Sequence, residues 1–250
     1  IRYLVIDSTT DVNVTVEYLG SAQAYPLLAG LQPDLYRCFM EQTWAHSSER
    51  GVVTLVHPET HFNDDKASLL REQTYLRLRR HWQFINELTL YEIHHLVRYG
   101  VHIYGCRRDF ASFLMASSLY HPDMVERSLK HDGAGVEPGL KDPDGNWDIR
   151  PHRKRIINVT DETLSIWRAI MEDDSVPVRQ TRMVYTVNSS AAEVLATLSH
   201  QPRVGALELQ FSRGWDESRD RKRGYFESRW GVPQSWNDVI LQGPHLHVAN

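Results

Sequence analysis

The sequence predicts an α/β domain, the second half of a doubly wound sheet, followed by a mixed α+β region. Three observations predict it. A continuous apolar run, Val52-Val53-Thr54-Leu55-Val56, lies between Gly51 and Pro58, the pattern of a strand buried on both faces. Helical patterns flank it at 33–45 and 64–82. A late pair of strand patterns, 84–90 and 99–104, separated by 92–98, then completes a helix-strand-helix-strand order. That alternation builds parallel sheets with helical crossovers.

Each element has its own justification. Ile1, Tyr3, Leu4, Val5 and Ile6 have strand chemistry, and Val12, Val14 and Val16 alternate as a half-buried strand would, before a break at Gly20-Ser21. In 33–45, Leu35, Phe39, Met40, Thr43 and Trp44 recur at three-to-four spacing behind Pro33, a residue suited to a helix start. The 64–82 stretch opens acidic and closes on Arg77, Arg79, Arg80 and His81, an order that complements the helix dipole. Past Gly105 come an apolar stretch at 110–120 and a short helix at 122–130. The Gly-, Pro- and Asp-rich 131–151 contains Asp142-Pro143-Asp144-Gly145-Asn146, which is turn chemistry. Helices at 161–171 and 189–198 each follow a capping residue. The final fifty residues hold a strand-like 206–211, an aromatic and charged stretch to Trp236, and an apolar 239–241.

Composition bounds the function classes. The 250 residues suffice for one large domain or two modest ones. Hydrophobic residues at 41% and charged residues at 24% exclude global disorder. A net charge of −4 excludes a uniformly basic DNA-coating protein but leaves room for local basic patches. Cys38 and Cys106 cannot form a disulfide framework and read as thiols in a reducing cytoplasm. No stretch approaches the roughly 20 apolar residues of a membrane helix, and no signal peptide opens the chain. A cytoplasmic protein with no membrane partner is expected. Both ends read as cut, at Ile1 and inside the apolar 246–250, so a fragment of a longer protein is expected.

A family resemblance rests on an ordered set of motifs. Gly51-Val52-Val53-Thr54-Leu55-Val56-His57-Pro58-Glu59-Thr60-His61-Phe62, then Leu70-Arg71 and Phe84-Ile85-Asn86-Glu87, resemble the segment downstream of the catalytic motif in Eco57I-like DNA adenine-N6 methyltransferases. These large bacterial enzymes belong to restriction-modification and phage-defence systems. Upstream, Leu31-Gln32-Pro33-Asp34-Leu35-Tyr36-Arg37-Cys38-Phe39 resembles the family's helix after the catalytic loop. Tyr99-Gly100-Val101-His102-Ile103-Tyr104-Gly105 resembles its late β-hairpin strand. Leu209-Gln210-Phe211-Ser212-Arg213-Gly214-Trp215-Asp216 and Ile240-Leu241-Gln242-Gly243-Pro244-His245 resemble the passage into target recognition.

The resemblance implies the C-terminal half of a Rossmann-like methyltransferase sheet over 1–108, a connecting region over 109–200, and the start of a target-recognition region over 201–250. It further implies S-adenosylmethionine as methyl donor, double-stranded DNA as partner and, in some systems, a nuclease domain or subunit. The family holds its flipped adenine with an Asn/Asp-Pro-Pro-Tyr/Phe tetrapeptide, because acceptors on the N6 hydrogens favour the positive charge that develops during attack. This sequence has no such tetrapeptide. Asp142-Pro143-Asp144-Gly145 lacks the second Pro and the aromatic, and Gly133, Gly135 and Gly139 fail the test for a nucleotide loop. No catalytic residue is therefore expected here, and the chain alone is expected to be inactive.

By the same resemblance, Tyr36 and Phe39 lie on the helix that closes over the cofactor's adenine ring; plain helix core meets the same pattern. Tyr99 or His95 flanks the late hairpin and could stack on a flipped base, although an aromatic at a strand start usually packs in the core. Two basic runs carry more weight: Arg150, His152, Arg153, Lys154 and Arg155, and Arg219, Arg221, Lys222 and Arg223 followed by Tyr225, Phe226 and Trp230. Cations beside aromatics suit phosphate contacts; solvated loops paired with Asp216, Glu217 and Asp220 are the competing reading. His94, His95, His102, His245 and His247 invite a metal site, but no acidic or cysteine partner falls at zinc spacing and adjacent His94 and His95 point apart. No metal is expected. Two rivals remain: a non-catalytic DNA-binding module of a defence complex, and an α/β hydrolase or nuclease, for which no Gly-x-Ser-x-Gly elbow exists.

Overall fold

A computed structural model describes residues 2–207, 214, 216–225, 227, 232 and 234–235. Residues 1–201 form one compact unit and 202–250 a second. The first unit is α/β, built on a mixed five-stranded sheet in the order β1-β3-β2-β4-β5.

Helix α1 (Arg2–Leu19) occupies the stretch where alternating valines suggested a strand. Val12, Val14 and Val16 are all exposed on it. Period-two alternation marks a strand only where one face is buried against something, and these three valines all face solvent. Helix α2 (Leu35–His46) starts two residues after the expected Pro33, with Asp34 as N-cap accepting the Tyr36 N–H. Strand β1 (Val53–His57) follows, half buried rather than covered on both faces, since it is an edge strand with Val52 and Val56 exposed.

Helix α3 (Ser68–Arg77) ends five residues before the sequence suggested, and strand β2 (Leu78–Ile85) takes over. The basic run 77–81 looks like a helix terminus. Yet β2 is the central strand, hydrogen-bonded to β3 (Arg98–Tyr104) and β4 (Ser112–Leu119), and those two ladders outweigh local propensity. The strand expected at 84–90 correspondingly lies earlier, and 86–88 turn as a short 3-10 helix.

Strand β3 pairs antiparallel with both β1 and β2, so β1 and β2 run parallel to each other with the hairpin strand between them. Strand β4 is parallel to β2, and β5 (Ile157–Thr160) is antiparallel to β4. The sheet thus continues across position 108 into the region expected to be a separate connector. Helices α4 (Asp123–Leu129), α5 (Asp161–Met171) and α6 (Ser189–Leu198) fall where expected. Asn188 caps α6 through the Ala191 N–H, and Thr160 with Thr163 forms a capping box on α5.

Strand periodicity sorts the core onto two faces. Val53, Leu55, Tyr104, Phe113, Met115, Ile157 and Val159 join one cluster, covered by Met40, Leu70, Tyr75, Leu164 and Trp167 from the helices. Trp82, Phe84, Tyr99, Ala116 and Leu119 join the other, packed on Met124 and Val125 of α4. In the second unit, α7 (Glu217–Lys222) is N-capped by Asp216 through the Arg219 N–H. Of the strand expected at 206–211, residues 206–207 belong to a short 3-10 helix, Val204–Leu207; the rest of it, the strand at 239–241, and Phe226, Trp230 and His245 lie outside the described residues. Among the described residues no helix is long and apolar enough to cross a membrane.

Candidate functional site

The most distinctive feature of the first unit is a buried layer of imidazoles that runs from the carboxyl end of β1 across the middle of β3 and β2. Alternation puts His57 of β1, His102 of β3, and His81 and Gln83 of β2 on one face of the sheet. Register brings them side by side: His81 lies opposite His102, and His57 opposite Gly100.

Gly100 makes the layer possible. A Cβ there would stand 2.1 Å from His102 Cε1, so the His102 ring occupies the space that a side chain would fill. That ring stacks on His57 at 3.9 Å with an interplanar angle of 2°, and its centroid is 4.7 Å from His81. Directly after β1, the 59–62 turn adds Glu59, His61 and Phe62, all buried.

Among the described residues, Glu59 is the only carboxylate of the layer. Its Oε2 accepts from Gln83 Nε2 at 2.9 Å, and its Oε1 accepts from the Tyr185 hydroxyl at 3.3 Å. His81 Nε2 lies 2.9 Å from Glu59 Oε1, but without the alignment of a hydrogen bond. Among the described residues no Lys or Arg reaches ion-pair distance of this carboxylate. Gln83 is itself held, its Oε1 accepting the Ser118 N–H at 3.4 Å.

The imidazoles divide into partnered and orphaned. His57 is saturated, with Nδ1 2.7 Å from the Pro58 carbonyl and Nε2 3.0 Å from the Tyr104 hydroxyl. His61 Nδ1 lies 3.4 Å from the Tyr36 hydroxyl, while its Nε2 has no hydrogen bond. Neither ring nitrogen of His81 or His102 has one either. Orphaned buried polar atoms are uncommon in folded proteins, and a cluster of them calls for an explanation. Burial lowers the His57 pKa to about 4 and takes His61 and His102 well below the ordinary imidazole range. Neighbouring imidazoles push in the same direction. For His102 the nearby Gly100 main chain, which makes no well-formed hydrogen bond, acts weakly the other way. These rings are neutral and keep lone pairs. Burial also drives the Tyr104 and Tyr185 hydroxyls well above their usual range, so both stay protonated.

The walls of the layer are tied down by charge-assisted bonds. Arg71 donates to the carbonyls of His61, Asp64 and Gln180, so one guanidinium joins the 59–64 turn to the segment carrying Tyr185. Arg37 pairs with Asp64 at 2.9 Å, donates to Thr60 Oγ1, and helps hold the Asp64 carboxyl below its usual range.

The residues singled out by sequence are spread over several places. Tyr36 faces the imidazole layer, its ring stacked 5.2 Å from His57 and its hydroxyl accepting from the His61 N–H. Phe39, on the same helix, is 62% exposed. Tyr99, expected as a base-stacking residue, is buried between Phe84 and Tyr91. His95 is half exposed beside Glu87.

The first basic run is mostly structural. Arg155 is buried, donating to the carbonyls of Arg150 and Asp148. Arg150 clamps Asp148 with two bonds, and Lys154 pairs with Glu137. Only Arg153 is exposed without an acidic partner among the described residues. The Arg155 guanidinium, expected among the phosphate contacts, is instead buried on main-chain carbonyls in a deep turn. The second run differs, since Arg219, Arg221, Lys222 and Arg223 on and after α7 are all exposed, as is Tyr225. Arg223 makes a long 3.9 Å contact with Asp220.

Sequence reading missed the layer itself. It sought metal ligands at local spacing, whereas His57, His81 and His102 meet only through sheet register. The available signal was shared parity: His81 with Gln83 on one strand pattern, and Gly100, His102 and Tyr104 on the next.

No family model matches the sequence, and comparison with curated proteins gives no match. Among solved structures, the type IIG restriction endonuclease BpuSI is similar over 56% of this chain and 16% of its own, at 13% identity and a TM-score of 0.34. A likeness of that size fixes neither fold family nor activity.

Proposed function

We propose that this chain is the later part of the catalytic domain of a site-specific DNA methyltransferase acting on adenine N6 in duplex DNA, and that it is inactive without the earlier part. The observation that carries this reading is the order β1-β3-β2. Two parallel strands joined through helix α3 enclose the reversed hairpin strand β3, where the family resemblance places its late hairpin. Strand β1 leaves its outer ladder unpaired among the described residues, with Val52 and Val56 exposed there and Leu35 and Phe39 exposed on α2. Parallel sheets are buried structures, so the first strands of a Rossmann-like sheet would attach at this edge.

In this reading S-adenosylmethionine supplies the methyl group when bound. The residues here fit one wall of its site, with the exposed Phe39 ring as a packing surface and Tyr36 anchoring the turn after β1. They do not make a whole site, because no Gly-rich loop or Pro-Pro tetrapeptide is in the sequence. Residues 202–250 would begin target recognition, with Arg219, Arg221, Lys222 and Arg223 contacting phosphates. Double-stranded DNA is the partner, and a nuclease of the same system is a further one.

The reading frame that encodes this chain tests the proposal. It is expected to carry an Asn/Asp-Pro-Pro-Tyr/Phe tetrapeptide upstream of Ile1, after a Gly-rich strand-loop-helix. A start codon beside Ile1 would overturn the catalytic reading and leave the non-catalytic DNA-binding module.

A further inference from the structure

We infer that Glu59, His81 and His102 form a binding site for one divalent late first-row transition cation, of which Zn2+ is the representative probe. The site goes beyond the methyltransferase reading and stands or falls independently of it.

Geometry carries the inference. One ligand atom from each of the three residues can be chosen so that all lie within 4.8 Å of one another, and all three residues are buried. Each comes from a different, rigidly placed part of the fold: the turn after β1, the central strand, and the hairpin strand. Sites on such elements need little ordering when a ligand arrives. Imidazole nitrogens with one carboxylate oxygen are a ligand set suited to zinc and its neighbours, not to magnesium or calcium, which favour oxygen.

Three further observations point to a cation. A buried carboxylate is costly without a compensating charge, and Glu59 has no Lys or Arg to provide one among the described residues. The close approach of His81 Nε2 to Glu59 Oε1 without hydrogen-bond alignment suits two donors aimed at a common third body. All four ring nitrogens of His81 and His102 lack a well-aligned hydrogen bond, so each ring keeps a nitrogen for a ligand bond.

The outer shell is uneven. Gln83 and Tyr185 fix both oxygens of Glu59, which holds the carboxylate oriented. The two imidazoles lack the partners that usually steady a metal-bound histidine, a deficit associated with roughly 10- to 100-fold weaker binding. The competing reading is an ion-free layer held by the 2.9 Å His81–Glu59 contact alone.

Equilibrium dialysis of the full chain against Zn2+, with Co2+ absorption as a second readout, decides between them. The expected result is one tightly held Zn2+ per chain, Co2+ bands of a low-coordinate nitrogen-oxygen site, and a thermal midpoint raised by Zn2+ but not Mg2+. His81→Gln should weaken Zn2+ binding at least tenfold, whereas the His94→Gln/His95→Gln double variant at the surface should leave it unchanged. Should His81→Gln fail to fold, the Co2+ spectrum of the unaltered chain still decides. Absence of stoichiometric binding, or binding removed by the surface pair, overturns the inference.

Discussion

Asp148 shows how a single residue converts sequence into architecture. Its carboxylate accepts from the backbone N–H groups of Gly139 and Arg150 and from the Arg150 guanidinium, and it faces Arg155 at 3.7 Å. Asp148 and Arg155 are both buried, so each makes the other tolerable. Asp148→Ala is expected to destabilise the chain by about 3–5 kcal/mol in urea unfolding, because it leaves Arg155 buried and unpaired; a loss below about 1 kcal/mol would show that the pair is dispensable. The Arg150 bonds hold the Asp148 carboxyl below the usual carboxylate range. With the folded value lower than the unfolded one, its contribution is complete above the unfolded value near 3.8 and is lost as pH falls through the folded value. The D148N variant should therefore flatten the acid limb of stability below about pH 4.

At the scale of elements, parity on the β2-β3 hairpin governs both packing and the buried layer. Gly100 sits opposite His57 and beneath the His102 ring. Gly100→Ala must displace that ring, and overpacking of this kind costs about 1–3 kcal/mol; the loss should appear in thermal unfolding together with weakened Zn2+ binding. Wild-type stability in that variant would mean the ring is free to move. Strand β1 supplies a second expectation. Its unpaired edge beside exposed Val52 and Val56 is a template for association, so Val56→Lys should reduce concentration-dependent self-association in sedimentation. Element boundaries were legible in the sequence where capping chemistry fixed them, as at Thr160 and Asn188. They were not legible at 77–82, where a helix-like basic run is claimed by two ladders, nor at 2–19, where valines at alternate positions ride an exposed helical surface.

For the whole molecule, the α/β class and the late strand pair could be read from alternation of patterns, because each crossover leaves a local trace. The imidazole layer could not, since its members are 57, 81 and 102 in sequence and meet only once register is set. The basic runs show the same limit: both look alike as sequence, yet one folds inward onto Asp148 and the other stays in solvent on α7. Charge reversal at Arg221 and Arg223 should weaken DNA binding across sequences and lower its salt slope by roughly one to two. Unchanged affinity and slope would remove these residues from the interface.

The most direct test is transfer of a labelled methyl group from S-adenosylmethionine to duplex DNA. The intact protein encoded by this reading frame is expected to label adenine N6, and residues 1–250 alone to label nothing. Labelling by the isolated chain, or none by the intact protein, would contradict the account.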